Sequence, residues 1–126
     1  MLNRIHHTAI IASDYERSKQ FYTEQLELKV INETYREERD SYKLDLAIGD
    51  AQIELFSFPD PPERVSSPEA RGLRHLCFEV EDVQAAAHWL QKKGIETEPI
   101  RIDPITQKAF TFFKDPDDLP LELYEK

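Results

Sequence analysis

A chain of 126 residues is long enough for one ordinary domain or for two small modules. Its 25 acidic against 16 basic residues leave a net charge of −9, which argues against nucleic-acid binding, a role that needs basic patches. Apolar residues make up 40% and charged residues 33%, the balance of a soluble globular protein, and no segment has the length of a membrane span. The lone cysteine, Cys77, excludes an internal disulfide and fits a reducing compartment. The apolar stretch within MLNRIHHTAIIAS is too short for a signal peptide, so the expected location is cytoplasmic.

In chain order, IHHTAII at 5–11 is a β-branched run that reads as a strand. Ser13 and Asp14 are helix N-cap candidates for YERSKQFYTEQL at 15–26, where Tyr15, Ser18, Phe21, Tyr22 and Leu26 fall near helical spacing. LKVINETYR at 28–36 reads as a strand. SYKLDLAIG at 41–49 alternates, with Tyr42, Leu44, Leu46 and Ile48 on one face. Gly49-Asp50 makes a tight turn into the strand AQIELFSF at 51–58. Residues 59–72, rich in Pro, Ser and charge, form a linker. Beyond it, LRHLCFEV at 73–80 is a strand. Glu81 and Asp82 begin the helix VQAAAHWLQKK, which Gly94 closes as the C′ residue. IETEPIRI at 95–102 is strand-like, with Pro99 marking an edge. KAFTFF is a strand, DPDD a turn and LPLELYE the last strand. The order β-α-β-β-β thus occurs twice, as module one at 1–58 and module two at 73–126, and predicts an α+β fold.

One pattern recurs across the two modules. His7 and Glu54 are 47 positions apart, and so are His75 and Glu122; an offset of 68 superimposes the copies. The same offset aligns Asp14 with Asp82, Phe21 with Trp89, Asp50 with Asp118 and Leu55 with Leu123. Strand alternation puts His75 with Cys77 and Glu79 opposite Leu76, Phe78 and Val80, and Glu122 with Tyr124 opposite Leu121 and Leu123. In the first module Glu54 and Phe56 oppose Ile53 and Leu55, and His7 opposes Thr8 and Ile10. The apolar faces belong under the helices, leaving the His and Glu side chains to line a cavity on the other side. Each of the four taken alone is an ordinary strand residue; at matched repeat positions they predict a divalent-metal site with mixed nitrogen and oxygen ligands. His6 reads as a hydrogen-bonded strand histidine, His88 as exposed on its helix, and Cys77 as a small buried filler rather than a reactive thiol.

The motifs IHHTAIIASDYERSKQFYTEQL, AQIELFSF, GLRHLCFEVEDV and FTFFKDPDDLPLELYE, taken in order, resemble the vicinal oxygen chelate superfamily (glyoxalase I, bleomycin resistance and dioxygenase proteins). The resemblance covers nearly the whole length and points in particular to the small bacterial YaeR-like glyoxalase-related group. It implies paired βαβββ modules in a single domain, with curved mixed sheets enclosing a metal site and a homodimeric assembly. The family's ligand positions fall on His7, Glu54, His75 and Glu122. In the glyoxalase I branch the metal acidifies a substrate C–H as a Lewis acid, and a glutamate shuttles the proton between neighbouring carbons. By position Glu122 is the leading base and Glu54 its counterpart. One divalent ion per site is implied, with Ni, Zn, Co, Mn and Fe all suited to this donor set.

The chain departs from glyoxalase I at two places. Ile11 stands where that branch has an arginine that helps hold the glutathione carboxylate, and Phe56, Ser57 and Phe58 stand where it has an asparagine. Glutathione recognition is left without those groups, and Arg74 and Lys108 are the alternative anion anchors. The DPDG turn becomes DPDD, with Asp118 able to take the left-handed conformation. The expected function is a metal-dependent lyase or isomerase acting on a small vicinal-oxygen substrate, such as the thiol hemithioacetal of an α-oxoaldehyde. The competing readings are two. One is another chemistry of the superfamily, thiol transfer or dioxygenation, against which the fourth ligand Glu54 argues. The other is non-catalytic binding of a small molecule, as in resistance proteins, against which the full ligand set argues.

Overall fold

The computed structural model describes all 126 residues and divides into two units, Met1–Glu63 and Arg64–Lys126. The division falls inside the 59–72 segment.

The first unit contains β1 (His7–Ala12), α1 (Tyr15–Gln20), β2 (Lys29–Arg36), β3 (Ser41–Ile48) and β4 (Ala51–Ser57). Asp14 caps α1 by accepting from the Arg17 N–H at 3.2 Å. The helical run to residue 26 expected from apolar spacing is not one regular helix. After Gln20 the backbone widens into a π-helical turn, Phe21–Gln25, where Leu26 N–H bonds to Phe21 C=O and Thr23 Oγ1 donates to Lys19 C=O. The widening still buries Tyr15, Ser18, Phe21 and Tyr22. The sheet order is β1-β4-β3-β2, with β1 parallel to β4 and the other pairs antiparallel.

The second unit contains β5 (Leu76–Val80), α2 (Val83–Lys92), β6 (Arg101–Ile102), β7 (Ala109–Lys114) and β8 (Pro120–Glu125). Asp82 caps α2 through the Ala85 N–H at 3.0 Å. Gly94, at φ +81°, closes it in a Schellman turn, Ile95 N–H reaching Leu90 C=O. The order β5-β8-β7-β6 repeats that of the first sheet, again with the first strand parallel to the last. The strand expected over 95–102 shrinks to Arg101–Ile102. Its earlier part is fastened by separate bonds, Glu98 N–H to Phe112 C=O and Thr111 Oγ1 to Glu98 C=O, in place of a ladder. Asp118 takes the left-handed conformation at φ +63°, as the DPDD turn requires.

Each sheet turns one face to its helix, α1 lying against β4 and α2 against β7 and β8. The alternation is visible in burial: Ile10, Leu44, Leu46, Ile53 and Leu55 in the first sheet and Leu121 and Leu123 in the second are buried on the helix side. Tyr42 shares that face but lies at its margin, exposed and stacked on Tyr15 at 4.9 Å. Removing these side chains from water is the main source of each unit's stability. No helix is long and apolar enough to cross a membrane.

Candidate metal centre

Register determines which side chains share the open face of each sheet. In the first unit Ala9 and Asp45 flank Glu54 on the neighbouring strands, and Ile11 and Lys43 flank Phe56. In the second unit Cys77 and Phe112 flank Glu122, and Phe110 flanks Tyr124.

Each unit brings its own histidine to its own glutamate. His7 Nε2 lies 3.5 Å from Glu54 Oε1, and His75 Nε2 lies 2.8 Å from Glu122 Oε2. Parallel pairing of the first strand of each unit with the last makes this possible: Glu54 lies beside Ala9 and Glu122 beside Cys77, so each histidine stands two residues before its glutamate's register partner, on the same side of the strand. Glu54 and Glu122 are the most enclosed members, at 8% and 9% exposure. Carboxylates are almost never this buried without a partner, so the His contact has a structural as well as a chemical reason.

The His75–Glu122 separation is that of a direct hydrogen bond, and the His7–Glu54 separation that of a looser polar contact. No three or more His, Cys, Asp or Glu side chains gather into a ligand set in this chain; each unit brings together one His–Glu pair, a candidate half-site.

His6, read from sequence as a hydrogen-bonded strand residue, lies just before β1 with its Nδ1 2.9 Å from His7 Nδ1. That contact engages the His7 ring through Nδ1, while Nε2 faces Glu54. The adjacent histidines were the only sequence signal for it.

Two further residues of the first half-site were not singled out. Lys43 Nζ lies 2.8 Å from Asp45 Oδ1 and 3.5 Å from Glu54 Oε2. The hydrogen bond to Asp45 holds the Lys43 ammonium above its ordinary value, with Glu54 adding to the effect. Farther along this face the Arg36 guanidinium lies over the rings of Phe56 and Phe58, 4.8 and 5.5 Å from their centroids. The phenylalanines that replace the glyoxalase asparagine thus carry a cation on their surface.

The second half-site is aromatic. Phe112 meets His75 edge to face at 5.1 Å. Cys77 corrects an expectation: it is exposed, not buried, because it shares the open face with Glu122. Its thiol is nevertheless pushed up to about 12, by partial burial and then by the Glu122 carboxylate, so it stays protonated and unreactive. His88 is exposed on α2, as read.

Beside His75 the second unit has a cleft of about 310 Å³, lined by Phe112, Arg64, Arg74, Arg101 and Glu98 among others. Arg64 donates to the Leu73 and Arg74 carbonyls and so staples the loop that leads into His75. Arg74 pairs with Glu69 and Arg101 with Glu98, and Arg101 lies flat over Phe110 at 4.9 Å. Lys108, the other anion anchor considered, sits in the turn before β7 and does not line the cleft.

Residues 4–123 match the family model of the Glyoxalase/Bleomycin resistance protein/Dioxygenase superfamily. The chain belongs to this superfamily. It is 65% identical to the uncharacterized protein YwkD of Bacillus subtilis, over all of this chain and 99% of that protein. It is 59% identical to the uncharacterized protein YaeR of Escherichia coli, over 99% and 98% of the two chains. Among solved structures, a glyoxalase family protein from Enterococcus faecalis superimposes with a TM-score of 0.91 at 50% identity, over 97% of each chain. A more distant superfamily likeness, at 24% identity, is to the lactoylglutathione lyase of Schizosaccharomyces pombe, of which this chain spans 46%.

Proposed function

We propose that this chain is a metal-dependent lyase or isomerase of the glyoxalase I kind, acting on a small vicinal-oxygen substrate such as the thiol hemithioacetal of an α-oxoaldehyde. The observation that carries the reading is the matched His–Glu pair, one per unit, each with a nearly buried carboxylate. His7, Glu54, His75 and Glu122 together would hold one divalent ion per site, and a homodimer is the assembly that accompanies this fold in the proposal. Two enclosed carboxylates with two imidazoles form a donor set suited to a first-row dication. The distant likeness to a lactoylglutathione lyase supports the choice of reaction.

The bound ion would act as a Lewis acid on the substrate oxygens, which acidifies the adjoining C–H. Glu122 takes that proton on a carboxylate oxygen and returns it to the neighbouring carbon, base first and acid second. His75 Nε2 lies 2.8 Å from Glu122 Oε2, and the Phe112 and His75 rings meet edge to face beside it. Glu54 is the counterpart of Glu122 in the first half-site. The arginines of the cleft beside His75 provide donors for polar groups of the substrate. Ile11, exposed on the open face of β1, offers no hydrogen bond to a glutathione carboxylate, which widens the choice of thiol.

The test loads the purified protein with Ni, Co, Mn or Zn and follows methylglyoxal isomerisation with glutathione and with other bacterial thiols. Turnover that disappears in His75→Ala and Glu122→Gln is expected. Stoichiometric metal without turnover on any thiol would remove the hemithioacetal substrate but keep the metal centre. Metal content unchanged by His7→Ala would remove the centre itself.

A further inference from the structure

Asp45 introduces a difficulty for the first half-site. It stands directly across from Glu54 on the adjoining strand, on the same open face. Two neighbouring carboxylates and an imidazole make a strong chelate for a divalent ion, and a third protein oxygen would take a position that substrate must occupy. The second unit has no such residue, because Phe112 stands across from Glu122. Lys43 is also confined to the first unit; its register counterpart there is Phe110. The surplus carboxylate and the cation that reaches it therefore occur together. The geometry links them: Lys43 is two residues before Asp45 on one face of β3, with Nζ at 2.8 Å from Asp45 Oδ1 and 3.5 Å from Glu54 Oε2. The three side chains are largely enclosed, at 30%, 17% and 11% exposure, so water screens them less than a surface pair.

We propose that Lys43 is a positioning residue that withholds ligands. It ties Asp45 and one oxygen of Glu54, so that the first half-site offers a metal only His7 and the remaining Glu54 oxygen. This rests on the metal-centre reading of the preceding section. Lys43 touches neither substrate nor reacting atoms; it sets how many protein oxygens are available and so how many positions stay open.

The experiment compares wild type, Lys43→Met, Lys43→Arg and Lys43→Met/Asp45→Asn, each loaded with Co(II). Affinity is measured by chelator competition and coordination by the visible absorption spectrum. Lys43→Met is expected to bind Co(II) about tenfold more tightly, because a nearby positive charge is gone and Asp45 is released, and to show a changed spectrum. Adding Asp45→Asn should return both readings toward wild type, and Lys43→Arg should stay near wild type throughout. A Lys43→Met protein with wild-type affinity and spectrum, alongside loss of Co(II) binding in His7→Ala, overturns the role of Lys43 while leaving the metal centre intact. Co(II) binding indifferent to both His7→Ala and Glu54→Gln overturns the centre, and the role of Lys43 with it.

Discussion

The two units share a frame and differ in what they place around it. Both have the same strand order, a parallel first-to-last pairing, an aspartate cap and a His–Glu pair at matched positions. Yet Glu54 sits among charges, with Lys43 and Asp45 in reach, whereas Glu122 sits between Phe112 and a protonated Cys77. The two carboxylates therefore have unlike surroundings, one beside an ammonium and a second carboxylate, the other beside an aromatic ring and a thiol. A repeat, then, can supply symmetry of position while side chains on the neighbouring strand set the surroundings.

The sharpest way to break this comparison is to neutralise each glutamate. Glu122→Gln should lower kcat by roughly 10²–10⁴-fold, the usual contribution of a positioned base. Glu54→Gln should act mainly through weaker metal binding, and turnover per bound metal should fall less. Equal losses per bound metal in steady-state kinetics would erase the distinction.

The frame should behave symmetrically where the sites do not. Leu55 and Leu123 occupy equivalent buried positions, and truncating either to alanine should cost about 2–5 kcal/mol in urea denaturation. A clear inequality would mean that the units pack their cores differently. The helix caps offer a gentler version of the same comparison: Asp14→Ala and Asp82→Ala should each cost about 1 kcal/mol.

The smallest effect concerns a tie present only in the first unit. Glu33 accepts from Lys19 and from the Tyr15 hydroxyl, and these bonds, Lys19 foremost, hold its carboxyl below the ordinary glutamate value. A folded-state value below the unfolded one stabilises the fold above the ordinary glutamate range and is lost as pH falls through the folded value. The stability gap between wild type and Glu33→Gln should therefore be widest near neutrality and close under acid. A gap that widened in acid would contradict this sign.

Much of the frame was legible because hydrophobic period and cap chemistry are local. Asp14, Asp82, Gly94 and the alternation of Ile53 with Glu54 each act over a few residues, and each appears where the pattern put it. The π-helical turn after Gln20 was not legible, because apolar spacing alone does not distinguish it from a regular helix. Residues 95–100 alternate like a strand, but their bonding depended on Phe112 and Thr111, distant in sequence. In the candidate site, the repeat exposed His7, Glu54, His75 and Glu122, since identical spacing is visible in one dimension. Lys43 and Asp45 escaped notice because their meaning comes from cross-strand register, and nothing in SYKLDLAIG says which carboxylate will lie opposite. The position of Arg36 over Phe56 and Phe58 was hidden for the same reason.

The parallel pairing of first strand with last has one more consequence. Each His–Glu pair closes the longest loop of its unit, so it comes into being only after β1 has met β4 or β5 has met β8. Loop closure is the entropic toll on such distant contacts. An ion held by these pairs would then act as a clasp on a finished unit: it favours the complete fold by mass action and gives nothing to a fragment missing either terminal strand.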